Sequence, residues 1–206
     1  MTIGLIVGAL VLAAMVWLAN GIRRIGAVSA GEPISGRSKT ALLLIDLQTV
    51  FWERGPYSEA DKQAAAEVIL AEVAAAQAQG YPVIAVRQEW SIPSTKAVAR
   101  LSMKGQAIEG SDGTELAPLF SDHPDHVIVK RVQDAFETGE LDGLLKSLDV
   151  GALRLVGLDL NYCVFKSALA ARNRGYDITV VTDGCLSAAA TQKVEAQLVL
   201  KGAKLV

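Results

Sequence analysis

The run Ala41-Leu42-Leu43-Leu44-Ile45 offers water no polar side chain, and it ends on a carboxylate, Asp46. An apolar run of strand length, without alternation, is buried on both faces. That is the situation of a strand inside a parallel sheet covered by helices. Comparable short runs recur at residues 82–86, 126–129, 153–156, 177–182 and 203–206. Between them lie stretches of helical spacing. In 59–79, Val68, Ala71, Ala75 and Ala78 recur at three- and four-residue steps, and Gly80 stops the helix. Shorter helices are predicted over 141–148, from Cys163 to near Gly175, and over 187–201 before Gly202. Strands alternating with helices predict an α/β fold: a three-layer, doubly wound, Rossmann-like arrangement around a mostly parallel six-stranded sheet. Right-handed crossovers then set the first and fourth strands side by side, flanking the crevice where such sheets bind ligands.

The N-terminus follows a different rule. Residues 3–19 carry no charge and are apolar on every face, unlike the stripe of a soluble surface helix. The length is sufficient, at the short end, to cross a bilayer. Trp17 suits an interfacial anchor. Arg23 and Arg24 follow while no Lys or Arg precedes, which places the rest of the chain on the cytoplasmic side. The alternative is a cleaved signal peptide with 28–30 as its cleavage site, but a positive n-region is missing and the Arg pair interrupts the pattern. The expected organisation is a transmembrane anchor over 1–20, a Gly/Ser-containing linker over 21–39 and a globular domain over 40–206. Gly4 and Gly8 would let a second helix approach closely.

Net charge is −2 and no basic tract is present, so nucleic acid is not an expected partner. Cys163 and Cys185 are too few for a disulfide framework. With only His123 and His126 and no CxxC pair, a dedicated metal site is not expected.

Three chemically active residues follow strand ends. Asp46 closes the first strand, Lys130 the third, and Cys163 follows the fourth at a predicted helix start. A helix N-terminus favours thiolate over thiol. Taken singly, each has a bland explanation: Asp46 a cap, Lys130 a solvated lysine, Cys163 a packed thiol. Delivered to one end of one sheet, they make a nucleophile with a base and a cation. Cys185 reads as a packed thiol. The long polar segment 91–125 reads as a lid or binding loop.

ALLLIDLQTVF, VIVKRVQDAFETGELDGLL and LVGLDLNYCVFKSALAARNRGYDITVVTDGCLS resemble the three signature segments of the isochorismatase-like cysteine hydrolases, and the resemblance runs from about Thr40 to the C-terminus. It implies a catalytic set of Asp46, Lys130 and Cys163. It implies hydrolysis of a C–N bond in a small amide or ureide through a Cys thioester, with no cofactor. It also implies a cis peptide between Leu158 and Asp159, aiming the amides of Asp159 and Cys163 at one oxyanion. Analogy of fold suggests a homo-oligomer. Gln48, Phe51, Glu89, Trp90, Gln106, Phe136 and Leu160 are candidate pocket residues. Departures from the family pattern are informative. Leu160 and Asn161 stand where Thr-Asp is frequent. Asp159 stands where a small or neutral residue is usual, which disfavours an anionic substrate and pushes the Asp46 pKa upward by repulsion, with Arg87 or Arg131 available to offset it. Gln88 and Trp90 stand where the family's nicotinamidases carry metal ligands, so neither a metal nor nicotinamidase activity is expected. The competing functions are a catalytically inactive, membrane-tethered scaffold of the same fold and a redox thiol protein.

Overall fold

The structure is a computed structural model that describes residues 2–206. A long helix α1 (Thr2–Ile25) precedes β1 (Lys39–Ile45), a single turn α2 (Thr49–Trp52), α3 (Glu59–Ala78), β2 (Val83–Gln88), α4 (Pro93–Ser102) and β3 (His126–Lys130). Then come α5 (Glu140–Ser147), β4 (Val150–Leu158), a π-helical turn (Leu160–Val164) running into α6 (Phe165–Asn173), β5 (Asp177–Leu186), α7 (Gln192–Leu200) and β6 (Lys204–Leu205). The strands form one sheet in the order β3-β2-β1-β4-β5-β6, and every pairing is parallel. β1 and β4 are neighbours at the point where the order reverses, as expected.

The unbroken apolar run of β1 is explained by its two covered faces. Ala41, Leu43 and Ile45 face a core shared with Leu141 and Leu145 of α5, Ala168 and Ala171 of α6, and Leu198 of α7. Leu42 and Leu44 face the opposite core, with Ala65, Ala66, Ile69, Val73 and Ala76 of α3. Alternate side chains therefore serve different layers, and none can be polar without being buried unpaired. α3 starts where Ser58 Oγ accepts from the Asp61 amide at 3.1 Å.

Several elements differ from their expected bounds. Strand β5 runs on to Leu186, because Cys185 and Leu186 pair with Gly157 and Leu158 across a bulge; Asp183 and Gly184 hide that pairing from any apolar pattern. α7 starts only at Gln192, which leaves 187–191 as a loop beside the crevice. Segment 91–125 is not irregular throughout: α4 opens on Pro93, whose fixed φ suits a first helical turn, and buries Val98 and Ala99.

Residues 21–39 are not a free linker. Gly21–Ile25 completes α1. Beyond it the chain is a strap against the domain. The Ser29 amide donates to Asp134 Oδ2 at 2.7 Å, and the Ile34 amide donates to the Arg174 carbonyl at 2.8 Å. Arg37 reaches the Tyr176 hydroxyl at 2.9 Å. The physical reason is that Val28 and Ile34 pack on the core. Arg174 is the strap's hub. Its nearly buried guanidinium forks onto Asp142 at 2.7 and 2.9 Å, donates to the carbonyls of Ser29 and Ala170, and lies 4.6 Å from the Phe136 ring centre. Replacing Arg174 by Ala leaves two carbonyls and a half-screened carboxylate without their donor, so we expect a loss of about 2–3 kcal/mol. A thermal melt unchanged within a degree would show that the strap contributes nothing.

Candidate active site

The carboxyl ends of β1, β3 and β4 converge on one buried cluster. Lys130 Nζ lies 2.9 Å from Asp46 Oδ2 and 3.2 Å from Cys163 Sγ. Lys130 is 0 % exposed and Asp46 2 %. Four acceptors surround three N–H groups, because Nζ also reaches Gln88 Oε1 at 2.6 Å and the Val132 carbonyl at 3.3 Å. The three residues singled out from their strand ends are thus within contact of one ammonium.

Local backbone aims them. Asp46 has φ of 54°, in the left-handed region that Asp tolerates better than most residues and that turns its side chain off the strand line into the crevice. β4 comes close to β1 here because residue 157 is glycine. Its φ is 123°, and a Cβ would run into the carbonyl oxygen of Ile45. The Leu158–Asp159 peptide is cis. The amides of Tyr162 and Val164 both turn back to the Asp159 carbonyl, at 3.0 and 3.3 Å. That wide π turn, rather than the first turn of a regular α-helix, carries Cys163.

Electrostatics differ from the expectation that the helix start favours thiolate over thiol. Burial, then the Asp46 carboxylate, push the Cys163 thiol upward, with Lys130 acting against them. Burial also raises Asp46 above the ordinary carboxylate range, opposed by Lys130. Burial alone would lower Lys130, but Asp46 and Cys163 outweigh it and raise it. These shifts favour the ammonium form of Lys130 and the protonated form of the Cys163 thiol. Asp46 Oδ1 is buried without a hydrogen-bond partner. Burial pushes the other thiol, Cys185, up to about 12.

Asp159 needs neither Arg87 nor Arg131, which pair instead with Glu89 and Glu137. Its carboxylate accepts from the amides of Asn161 and Ala188, both at 2.8 Å, and from the hydroxyls of Ser187 and Tyr57, both at 3.3 Å. Asn161 in turn holds Ser187 Oγ at 2.7 Å. The departure at Leu160-Asn161 is thus absorbed: the polar support of this turn is rebuilt from the loop that follows β5.

A cavity of about 400 Å³ opens in front of Cys163, walled by Phe51, Tyr57, Trp90, Met103, Tyr162 and Gln106 among others, with Asp46 and Asp159 on its floor. Of the candidate pocket residues, Phe51, Trp90 and Gln106 line it. Gln48, Glu89, Phe136 and Leu160 do not line it. Gln48 is fully buried behind the site, where its Oε1 accepts from the Gln88 amide at 2.6 Å and its Nε2 donates to the carbonyls of Gln88 and Thr114. Glu89 is turned to the Arg87 side of the strand end by strand alternation. The Phe136 amide donates to Asp134 Oδ1 at 2.8 Å, and the ring goes inward beside Tyr176. Leu160 packs in the core beneath α6. Sequence reasoning missed Gln88 as the residue that holds Lys130, and it missed Tyr57 altogether. A buried glutamine at a strand end, one parity with Lys130's partner position, was the available signal. A larger cleft of about 530 Å³ lies at the amino ends of β1, β4 and β5, beside Thr40, Ala152 and Asp177. It holds none of these groups, and open α/β sheets bind ligands at the opposite ends.

The residues do not suit a metal. Gln88 Oε1 is engaged by Lys130, Trp90 has no ligating atom, and among the described residues no three His, Cys, Asp or Glu gather into a candidate site.

The sequence pattern that defines the isochorismatase domain matches residues 40–204. The chain belongs to the isochorismatase family. It is 27% identical to the nicotinamidase of Escherichia coli strain K12 over 176 residues, covering 70% of this chain and 82% of that one. An isochorismatase family protein from Desulfovibrio vulgaris superposes with a TM-score of 0.71 at 26% identity, covering 83% of this chain and 94% of that one. N-carbamoylsarcosine amidase from Thermoplasma acidophilum shares the fold, with a TM-score of 0.69 at 23% identity over 82% of this chain and 95% of that one. This isochorismatase-family member is a hydrolase, and its matched region begins within β1, after the apolar helix and the strap.

Proposed function

We propose that the chain is a membrane-anchored cysteine hydrolase that cleaves the C–N bond of a neutral small amide or ureide. The observation that carries this is the single ammonium of Lys130 in contact with both Asp46 and Cys163. Cys163 Sγ attacks the carbonyl carbon while its proton passes to Asp46, whose free Oδ1 is available to receive it. The raised position of both groups suits this transfer: the thiol keeps its proton until it attacks, and a carboxylate with a raised pKa is a stronger base than an ordinary aspartate. The amides of Asp159 and Cys163 stabilise the oxyanion. Asp46 returns the proton to the nitrogen, the C–N bond breaks, and the amine leaves. Water, deprotonated by Asp46, attacks the thioester; the acid departs and the thiol recovers its proton. Lys130 holds the carboxylate and thiol in register throughout.

The names of relatives, a nicotinamidase and an N-carbamoylsarcosine amidase, support a C–N bond in an amide or ureide. Nicotinamide itself is not the expected substrate, given Gln88 and Trp90 at the metal-ligand positions. The anchor is α1: Ile3–Ile25 is long and apolar enough to cross a membrane, and its side chains are unburied over most of that length. Arg23 and Arg24 at its end favour a cytoplasmic hydrolase domain.

The test is a panel of amides and ureides with ammonia or amine detection on the full chain in vesicles. Absence of turnover across the panel would sink the hydrolase function. For the best substrate, the kcat/KM profile should carry an acid limb. Asp46 must be ionised to act, and burial raises its pKa, so activity fails on acidification at a higher pH than an ordinary aspartate would dictate. Lys130, raised, loses no proton through the neutral range. An acid limb in the ordinary carboxylate range would remove Asp46 as the base.

A further inference from the structure

The last two turns of α1 do not stand clear of the domain. Leu18, Gly21 and Ile25 share one face of the helix, and Gly21 and Ile25 are buried. Gly21 is where two backbones meet: a Cβ there would stand 2.7 Å from the carbonyl oxygen of Ser94 in α4. Ile25 joins Val50, Trp90, Val98, Ala99 and Ala107 in one apolar cluster, with Leu18, Phe51 and Met103 packed against it. The Ile25 carbonyl accepts from the Gln133 amide at 3.1 Å. Phe51, Trp90, Met103 and Gln133 are also walls of the cavity in front of Cys163. One cluster therefore forms both the seat of the apolar helix and the back of the substrate wall.

The level of that wall relative to a bilayer follows from length. Ile3–Ile25 has 23 residues, about 34 Å of helix at 1.5 Å per residue against roughly 30 Å of hydrocarbon. Arg23 and Arg24 are exposed at its end, where headgroups would meet them. Ile25 is the next residue, so the cavity wall stands at headgroup depth. The cavity's own chemistry is apolar and aromatic. Its ionisable carboxyl groups are Asp46 and Asp159, and no Arg or Lys lines it. An anionic ligand meets two carboxyl groups and no cationic lining residue, whereas a neutral one with an apolar group gains burial, about fourfold in affinity for each CH₂ removed from water.

Resting on the anchored cysteine-hydrolase reading above, we propose that the substrate is a neutral, membrane-partitioning amide. Its alkyl or aryl group lies against Phe51, Trp90 and Met103, and its amide reaches Cys163 from the membrane–water interface. The wall formed by α4 and the end of α1 is what makes the site interfacial.

The test uses the full chain in phospholipid vesicles and two alkylating amides at equal total concentration. One is iodoacetamide, which is water-soluble. The other is N-hexadecyl iodoacetamide, which is confined to the bilayer with its amide at the interface. In each, Cys163 Sγ displaces iodide from carbon and the thiol proton goes to buffer. Adducts at Cys163 and Cys185 are followed by intact mass and peptide mapping. The hexadecyl reagent is expected to modify Cys163 at least tenfold faster than iodoacetamide, without the same enrichment at Cys185, which lies outside the cavity. A smaller ratio, Cys163 spared by the bilayer-confined reagent, or equal enrichment at Cys185 overturns the proposal. Alkylation reports access and not turnover, so this result stands apart from the amide panel, whose failure alone would sink the hydrolase function.

Discussion

Replacing Cys163 by Ala is expected to take amide hydrolysis down by 10⁴-fold or more, to the floor of ammonia detection, because removal of a covalent nucleophile removes the pathway and not one contact within it. The fold should be nearly indifferent. The side chain lost is one thiol, and Lys130 keeps three of its four acceptors in Asp46, Gln88 and Val132. The thermal midpoint should therefore stay within a few degrees while activity vanishes. Cys163→Ser should do little better, since a buried hydroxyl is a weak nucleophile beside a base that has evolved no stronger than a carboxylate. A Cys163→Ala protein that retains even one part in a hundred of the activity would assign the chemistry elsewhere, and the cluster would then be a structural ion pair.

The second large effect is on stability. Replacing Lys130 by Met keeps the length and apolar stem of the side chain but leaves Asp46 buried without its cation. Breaking one side of a buried pair costs about 3–5 kcal/mol, roughly 6–20 °C in melting temperature for a domain of this size. The pH dependence has a definite sign. Burial already raises the Asp46 pKa and Lys130 is the group opposing it, so the variant raises it further. A carboxyl whose folded pKa lies above its unfolded one binds more protons folded than unfolded, and stability then falls as pH rises through that range. The loss should be mildest in acid, where Asp46 is protonated, and largest at neutral and alkaline pH. Adding Asp46→Asn should recover most of it, because the amide is neutral and Asn tolerates the left-handed φ at that position. Calorimetry of the single and double variants across pH measures this directly; a pH-independent loss, or no recovery in the double variant, would mean that the pair is not what holds the site.

How much of this could be read from residues alone differs from one residue to the next. Asp46, Lys130 and Cys163 were legible because each follows an apolar run, and a parallel sheet delivers the ends of its strands to one edge. Gln88 was legible as a position but not as a role. Which acceptor holds a lysine depends on the register between β2 and β3, where Gln88 stands opposite Lys130. Phe136 misled for the opposite reason. An aromatic residue after a catalytic strand is as well placed for a core as for a cavity, and the choice is made by the Asp134 carboxylate that folds the turn inward. The strap over 26–38 was invisible because most of its hydrogen bonds use backbone amides and carbonyls, which every sequence possesses, and its few docking side chains, Val28, Ile34 and Arg37, follow no periodicity.

The apolar spacing by itself determined the sheet, its covering helices, the adjacency of β1 and β4 and the long apolar helix in front of them, since burial on two faces, on one face and on none leave different periodicities in a chain. Tertiary structure alone decided that burial and Asp46 push the Cys163 thiol upward, that Asp159 is held by Tyr57, Asn161, Ser187 and the Ala188 amide, and that the end of α1 is built into the wall of the cavity. Those are matters of desolvation, long-range hydrogen bonding and helix–helix contact. Each depends on which distant residues come within a few ångströms of one another, and no local pattern in the chain records that.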